Sequence, residues 1–354
     1  MIQLNKDIPT ENVPELRLDS AAVIELGDHL KRSLGLRVHG VPTPSSAATN
    51  PARIGILFSG GLDCALLARI CHDILPFDHD IDLLNVAFEN PRVVKAAGKT
   101  SAESTPAHPS PYSMCPDRLT GHSTHAELLR VCPERTWRFV SIDVPYAETL
   151  AHRSEITALI YPHHTEMDLS IACALYFAAR GAGTVKVAET GLTRAYTTPA
   201  CVLLSGLGAD EMFGGYTRHS TAFRLAGYEG LVGELELDIC RLGKRNLGRD
   251  DRVISYWGKE ARYPYLDEAL VRWALRRPVW EKCGFRKSHI DKDHLLNAKD
   301  PILEPAKLLL RLLAWRLRMK GAAAEKKRAI QFGTRTAKME AGRSKGTENL
   351  VADG

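Results

Sequence analysis

Residues 53–64 read Arg53-Ile54-Gly55-Ile56-Leu57-Phe58-Ser59-Gly60-Gly61-Leu62-Asp63-Cys64, and Ala-Leu-Leu-Ala-Arg-Ile-Cys-His-Asp follows to Asp73. Ile54, Ile56, Leu57 and Phe58 form the short apolar run that a strand buried on both faces needs, and Gly60-Gly61 end it. A helix begins at once, so the stretch predicts strand, loop, helix. Two glycines let the backbone approach an anion closely, and Ser59 adds a hydroxyl where the free N–H groups and positive end of the helix point. An oligophosphate suits that cradle. Asp63 would repel it unless a divalent cation lay between them, so Asp63 is expected to hold magnesium.

The loop has neither the Lys-Ser/Thr pair of a Walker loop nor the Gly-x-Gly-x-x-Gly of a dinucleotide fold. Upstream, Ser20 is a candidate cap for a helix over 21–36. A Ser/Pro/Ala-rich linker over 42–51 follows, so residues 1–50 are expected to be a lead-in helix and linker. Downstream, Ile81–Phe88 predicts a strand whose carboxyl end borders a nucleotide crevice, placing Val86 to Phe88 beside adenine. Residues 89–114 are rich in Pro, Ala, Ser and Thr and predict a flexible surface insertion. The pattern continues with a helix over 117–131, a strand over 137–144, a helix over 146–160, an apolar helix over 169–180, a loop over 190–198 and a strand over 200–204. This alternation predicts an α/β fold, a doubly wound parallel sheet, with a largely helical C-terminal part.

Ala200-Cys-Val-Leu-Leu-Ser205-Gly206-Leu207-Gly208-Ala209-Asp210-Glu211-Met-Phe-Gly-Gly-Tyr216 repeats the logic of the first loop. An apolar strand leads into Ser-Gly and then into acids. Two such loops in one parallel sheet face one crevice, where Asp210 is suited to share magnesium with Asp63 and Ser205 and Gly206 to contact the nucleotide.

Composition excludes several classes. No apolar run reaches about 18 residues and no basic-then-apolar leader opens the chain, so neither a membrane span nor a signal peptide is expected and the cytoplasm is the expected compartment. The eight cysteines contain no Cys-x-x-Cys pair, which argues against structural zinc and a disulfide framework. Adjacent His163 and His164 point apart and read as a loop pair. The net charge of +5 is uneven: residues 315–345 hold ten Lys/Arg against two Glu, or +8, leaving about −3 elsewhere. That basic tail is expected to be solvated, with nucleic acid disfavoured because no aromatic-rich motif accompanies it.

Ser59-Gly60-Gly61-Leu62-Asp63-Cys64 resembles the Ser-Gly-Gly-x-Asp-Ser loop of N-type ATP pyrophosphatases, which cleave ATP to AMP and pyrophosphate. Cys64 replaces the last Ser and donates only a weak hydrogen bond. Ser205–Tyr216 is similar to the Ser-Gly-Glu-Gly-x-Asp-Glu-x-Phe-Gly-Gly-Tyr motif of the asparagine synthetase family, and Gly258-Lys-Glu-Ala-Arg-Tyr-Pro-Tyr-Leu-Asp267 to its Gly-x-Glu-Ala-Arg-x-Pro-Phe-Leu-Asp. Arg245–Arg252 and Gln331–Glu340 are similar to two runs of one subfamily and extend the likeness over roughly residues 20–340.

The resemblance implies an adenine nucleotide alpha hydrolase-like (HUP-type) domain over 51–345, with ATP and Mg2+ bound between the loops. Ser59, Gly60, Gly61, Asp63 and Cys64 would cradle pyrophosphate, Asp63 and Asp210 hold the metal, Leu57 and Val86 border the nucleoside, and Ser205 and Gly206 contact AMP. A carboxylate, aspartate in the family, is adenylated, and ammonia then displaces AMP. Glu260 and Arg262 would form a buried pair that shapes the domain. Leu207 stands where the family has an acid that handles ammonia or the intermediate. The family's phosphate-meeting C-terminal lysine is displaced, Lys327 and Arg328 lying beside Ala329. About 50 residues before the first loop leave no room for a glutaminase domain of roughly 200. Free ammonia, a separate glutaminase subunit and a glutaminase half missing from a truncated gene model are the alternatives for the nitrogen source.

Overall fold

The computed structural model describes residues 3–10, 13–44, 51–94, 110–187, 190–286, 303–337, 339 and 346–350. Five strands run parallel: β1 (Ile54–Leu57), β2 (Ile81–Phe88), β3 (Trp137–Val144), β6 (Val202–Leu204) and β7 (Glu260–Arg262). β4 (Ala182–Lys186) and β5 (Thr193–Thr197) add an antiparallel hairpin, giving one sheet in the order β5-β4-β3-β2-β1-β6-β7. The loop expected over 190–198 is thus corrected to an edge strand. Its residues are mostly exposed, so no apolar alternation marks it.

Helices cover both faces. α1 (Ala21–Val38) buries Val23, Leu26, Leu30 and Leu34 along one stripe, and α2 (Leu62–Ile74) starts directly behind the first loop with Gly61 as its cap. α3 (Pro116–Val131) opens on a proline, whose missing N–H costs nothing in a first turn. The single helix expected over 146–160 is two, α4 (Tyr146–Ala151) and α5 (Arg153–Ile160), meeting at His152. The hydroxyl of Thr165 accepts the Asp168 N–H and caps α6 (Glu166–Arg180).

Beyond β6 the described chain is helical apart from β7. It runs through α7 (Ala209–Phe213), α8 (Thr217–Leu242), a π-turn at Gly243–Leu247, α9 (Gly248–Ser255), α10 (Glu268–Arg276), α11 (Leu308–Arg316), α12 (Lys320–Ala324) and α13 (Ile330–Gly333). Ile54, Ile56 and Leu83 share one core with α1, α2 and α11, while Leu84, Val86 and Val140 share the other with α5, α6 and α9. Most of the insertion expected over 89–114 lies outside the described residues.

Candidate active site

The chain steps outward from β1 through β2 and β3 to the β4–β5 hairpin and then returns to the other side of β1, where Ile54 stands in register with Val202 of β6. Such a reversal opens a crevice at the carboxyl ends of the two flanking strands. Both glycine-acid loops lie there, one after β1 and one after β6. They touch: a Cβ on Gly206 would stand 3.0 Å from the Asp63 Cβ, so a side chain there would press on the first loop. β7 pins the second loop from its far side, the Ser205 N–H donating to the Arg262 carbonyl at 3.0 Å.

A cleft of about 280 Å³ is lined by Leu57, Ser59, Gly61, Asp63, Cys64, Val86, Ser205, Gly206 and Asp210. Of the residues singled out in the sequence as binding candidates, Gly60 alone does not line it. At φ +82, a Cβ on Gly60 would lie 2.5 Å from the Thr120–Gly121 backbone, and its carbonyl accepts from Thr124 Oγ1 at 2.6 Å. That glycine lets α3 dock on the loop. Cys64 is buried, its thiol donating to the Gly61 carbonyl at 3.2 Å, and burial pushes its pKa up to about 11.

Asp63 and Asp210 converge on an ammonium the sequence reading overlooked. Lys307 Nζ lies 2.8 Å from Asp63 Oδ1 and 2.9 Å from Asp210 Oδ1. Lys327 Nζ binds the other Asp210 oxygen. Burial opposes the charge on Asp210, yet Lys307 and Lys327 outweigh it and hold this carboxyl well below the usual range. Burial likewise opposes the charge on Lys307, and Asp210 and Asp63 raise its pKa. A lysine just before an apolar helix faces the positive end of the dipole, and that mismatch at Lys307-Leu308-Leu309 was the available signal.

Of the basic stretch expected as a solvated tail, Arg316, Arg318 and Lys320 are exposed, while residues 325–331 form a wall of the cleft. Met319, Ala322 and Ala323 are buried. Arg311, itself buried, donates to the carbonyls of Ala323 and Glu325 at 2.7 and 2.8 Å and so fixes the approach of Lys327. Arg328 donates to Thr120 Oγ1 at 3.2 Å and lies 3.7 Å from Asp117. Burial pushes Asp117 up to about 7, with Arg328 and Lys327 opposing. Burial and then Asp210 push Glu211 up to about 7 as well, against a hydrogen bond from the Tyr216 hydroxyl at 2.7 Å. The π-turn delivers Asn246, whose amide donates to Glu211 at 3.3 Å. Leu207 lines the same cleft.

Two expectations are corrected or narrowed. Glu260 and Arg262 do pair, at 2.9 Å, but the Glu260 side chain is 63% exposed, so this is no buried pair. A buried ion cluster is formed instead by Arg249 with Asp168 and Asp250, at 2.9 and 2.8 Å. His163 and His164 stay in a loop, and among the described residues no three His, Cys, Asp or Glu side chains form a metal site on their own. Both carboxylates nevertheless face into the cleft, Asp210 Oδ1 at 2.9 Å from Lys307 Nζ. Two hard carboxylates, one from each loop, fit magnesium, which commonly binds one or two carboxylates and completes its shell with phosphate and water oxygens.

The switch-point crevice and paired loops define an adenine nucleotide alpha hydrolase-like α/β domain. The family model described as asparagine synthase matches residues 141–233 and 224–305, and the chain carries an asparagine synthase domain. "Asparagine synthetase domain-containing protein 1" of Bos taurus is 40% identical over 318 residues, 84% of this chain and 47% of that one. An asparagine synthetase domain-containing protein of Saccharomyces cerevisiae is 36% identical over 356 residues, 97% of this chain and 59% of that one. The "Putative asparagine synthetase [glutamine-hydrolyzing] 1" of Methanocaldococcus jannaschii is 50% identical over 78 residues, 22% of this chain and 14% of that one. The chain spans about half the length of the first two relatives.

Proposed function

We propose that this chain is an ATP-dependent, magnesium-requiring ligase of the asparagine synthetase class. It adenylates a carboxylate, aspartate by resemblance, and makes the amide from ammonia. The observation that carries this reading is the convergence of Asp63 and Asp210, one from each loop, on Lys307 Nζ inside one cleft.

Leu57, Val86 and Leu175 offer an apolar wall for the adenine base, and Ser205 and Gly206 the backbone for AMP. Ser59, Gly61 and the free N–H groups of the first turn of α2 receive the pyrophosphate. Lys307, buried, and Lys327, at the open side of the cleft, offset charge that builds on the phosphates. Magnesium, held by Asp63 and Asp210, supplies Lewis-acid neutralisation of phosphate oxygens when bound. In the first half-reaction a carboxylate oxygen bonds to the α-phosphorus while pyrophosphate leaves with the electron pair of the broken P–O bond. In the second, the ammonia nitrogen bonds to the acyl carbon, AMP leaves with its pair, and the nitrogen sheds a proton. Residues 51–345 form the working unit, the nitrogen is free ammonia or comes from a separate glutaminase subunit, and the compartment is the cytoplasm, where ATP and amino acids are at hand.

Aspartate-dependent exchange of labelled pyrophosphate into ATP tests the reading. Exchange is expected; its absence with aspartate and other amino acids, in protein shown to be folded, overturns it. One observation favours a second reading, a nucleotide-binding pseudoenzyme: Leu207 lines the cleft where the resemblance implies an acid. Steady asparagine production from ammonia excludes that alternative.

A further inference from the structure

The carboxylates of Asp63 and Asp210 already face two cations. Lys307 Nζ donates to both oxygens of Asp63, at 2.8 and 2.9 Å, and lies 2.9 Å from Asp210; Lys327 binds the remaining Asp210 oxygen. Two carboxylates and two ammoniums sum to no net charge, so this cluster exerts little pull on a free dication. The Lys307 side chain is 2% exposed. Its backbone is fixed at φ 56, and its N–H donates to the Phe213 carbonyl at 3.2 Å, on the helix that carries Asp210.

A free divalent ion entering between the carboxylates would leave that ammonium buried without a partner, a costly state. A metal that arrives on a triphosphate brings anionic oxygens, and the lysines can turn to those. We infer that Lys307 and Lys327 bar free divalent metal and admit it only as its complex with a nucleoside triphosphate. This rests on the metal assignment under the proposed function and adds an order of binding to it.

Manganese, visible by electron paramagnetic resonance, is the probe, titrated into the full chain with and without α,β-methylene-ATP. The wild type is expected to bind manganese at the Asp63-dependent site roughly tenfold or more tightly with the analogue than without it. Lys307→Met is expected to bind manganese without the analogue, and adding Asp63→Asn to remove that binding. Wild type that binds equally well in both conditions, or a folded Lys307→Met that gains nothing, overturns the inference. Should Lys307→Met fail to fold, Lys327→Met, altered at a side chain 27% exposed, is expected to show a smaller gain, and its absence is equally decisive. Missing pyrophosphate exchange would sink the ligase reading and leave these titrations interpretable, so the two failures are distinct.

Discussion

Lys307 Nζ lies 2.8 and 2.9 Å from the two carboxylate oxygens of Asp63. Removing Asp63 deletes half of the carboxylate pair and leaves a buried ammonium with Asp210 alone. Asp63→Ala is therefore expected to lower pyrophosphate exchange by about 100-fold or more. Its melting temperature should also fall, because breaking a buried ion pair from one side is destabilising. Exchange retained in Asp63→Ala would refute the metal assignment.

Asp117 is buried on the cleft wall, and burial lifts its carboxyl to about 7. An aspartate in the unfolded chain ionises near 3.9. Between these two values the folded state holds a proton that the unfolded state has lost, so this group's stabilisation is complete below about pH 4 and fades as pH rises through 7. Asn mimics the protonated acid. Asp117→Asn is expected to gain stability relative to wild type at pH 8, on the order of 2–4 kcal/mol, and little at pH 4. Urea unfolding at the two pH values checks this; an equal difference at both would overturn it.

Gly60 sits at φ +82, and a Cβ would meet the backbone of Thr120 and Gly121 at 2.5 Å. The obstacle is backbone, which cannot swing aside like a flexible side chain. Gly60→Ala is expected to push α3 off the loop and cost a few kcal/mol, roughly the sum of left-handed strain and overpacking. Thermal melting reads this out, and a melting temperature equal to wild type would show that the loop accommodates the methyl group.

The loops and central strands were legible because their signals are local. Ile81–Phe88 and Trp137–Val144 match the observed strands to the residue, the first a mostly apolar segment buried throughout, the second alternating apolar with polar residues. Edge strand β5 gave no such signal, and it is held by long-range polar contacts. Asp82, fully buried in β2, accepts from Arg138 at 2.8 Å, from Tyr196 of β5 at 2.8 Å and from Thr198 at 2.6 Å. Nothing near Asp82 in sequence announces partners more than fifty positions away. Lys307 was missed for the same reason: it lies 244 positions from Asp63 and meets it only through the packing of α11 on α2. Motifs show which residues a loop contributes, whereas the counter-ions that complete the site come from elements without a motif.

Leu207 stands in the second loop between Gly206 and Gly208, its N–H donating to Ser205 Oγ at 3.3 Å, and its side chain borders the cleft. In the proposed ligase reaction a carboxylate there would be placed to take a proton from the attacking nitrogen, a step that belongs to the second half-reaction only. Pyrophosphate exchange reports the first half and asparagine formation from ammonia reports both. Leu207→Glu is therefore expected to leave exchange within about threefold while raising amide formation by about 100-fold, the low end of what a positioned base contributes. Chromatographic measurement of asparagine alongside exchange separates the halves. Exchange that collapses with the added charge would show that a third acid disturbs the Asp63–Lys307–Asp210 cluster. Amide formation that does not move would overturn a role for position 207 in the proposed amide step and leave Glu211, buried and bonded to Tyr216 at the same end of the loop, as the candidate acid.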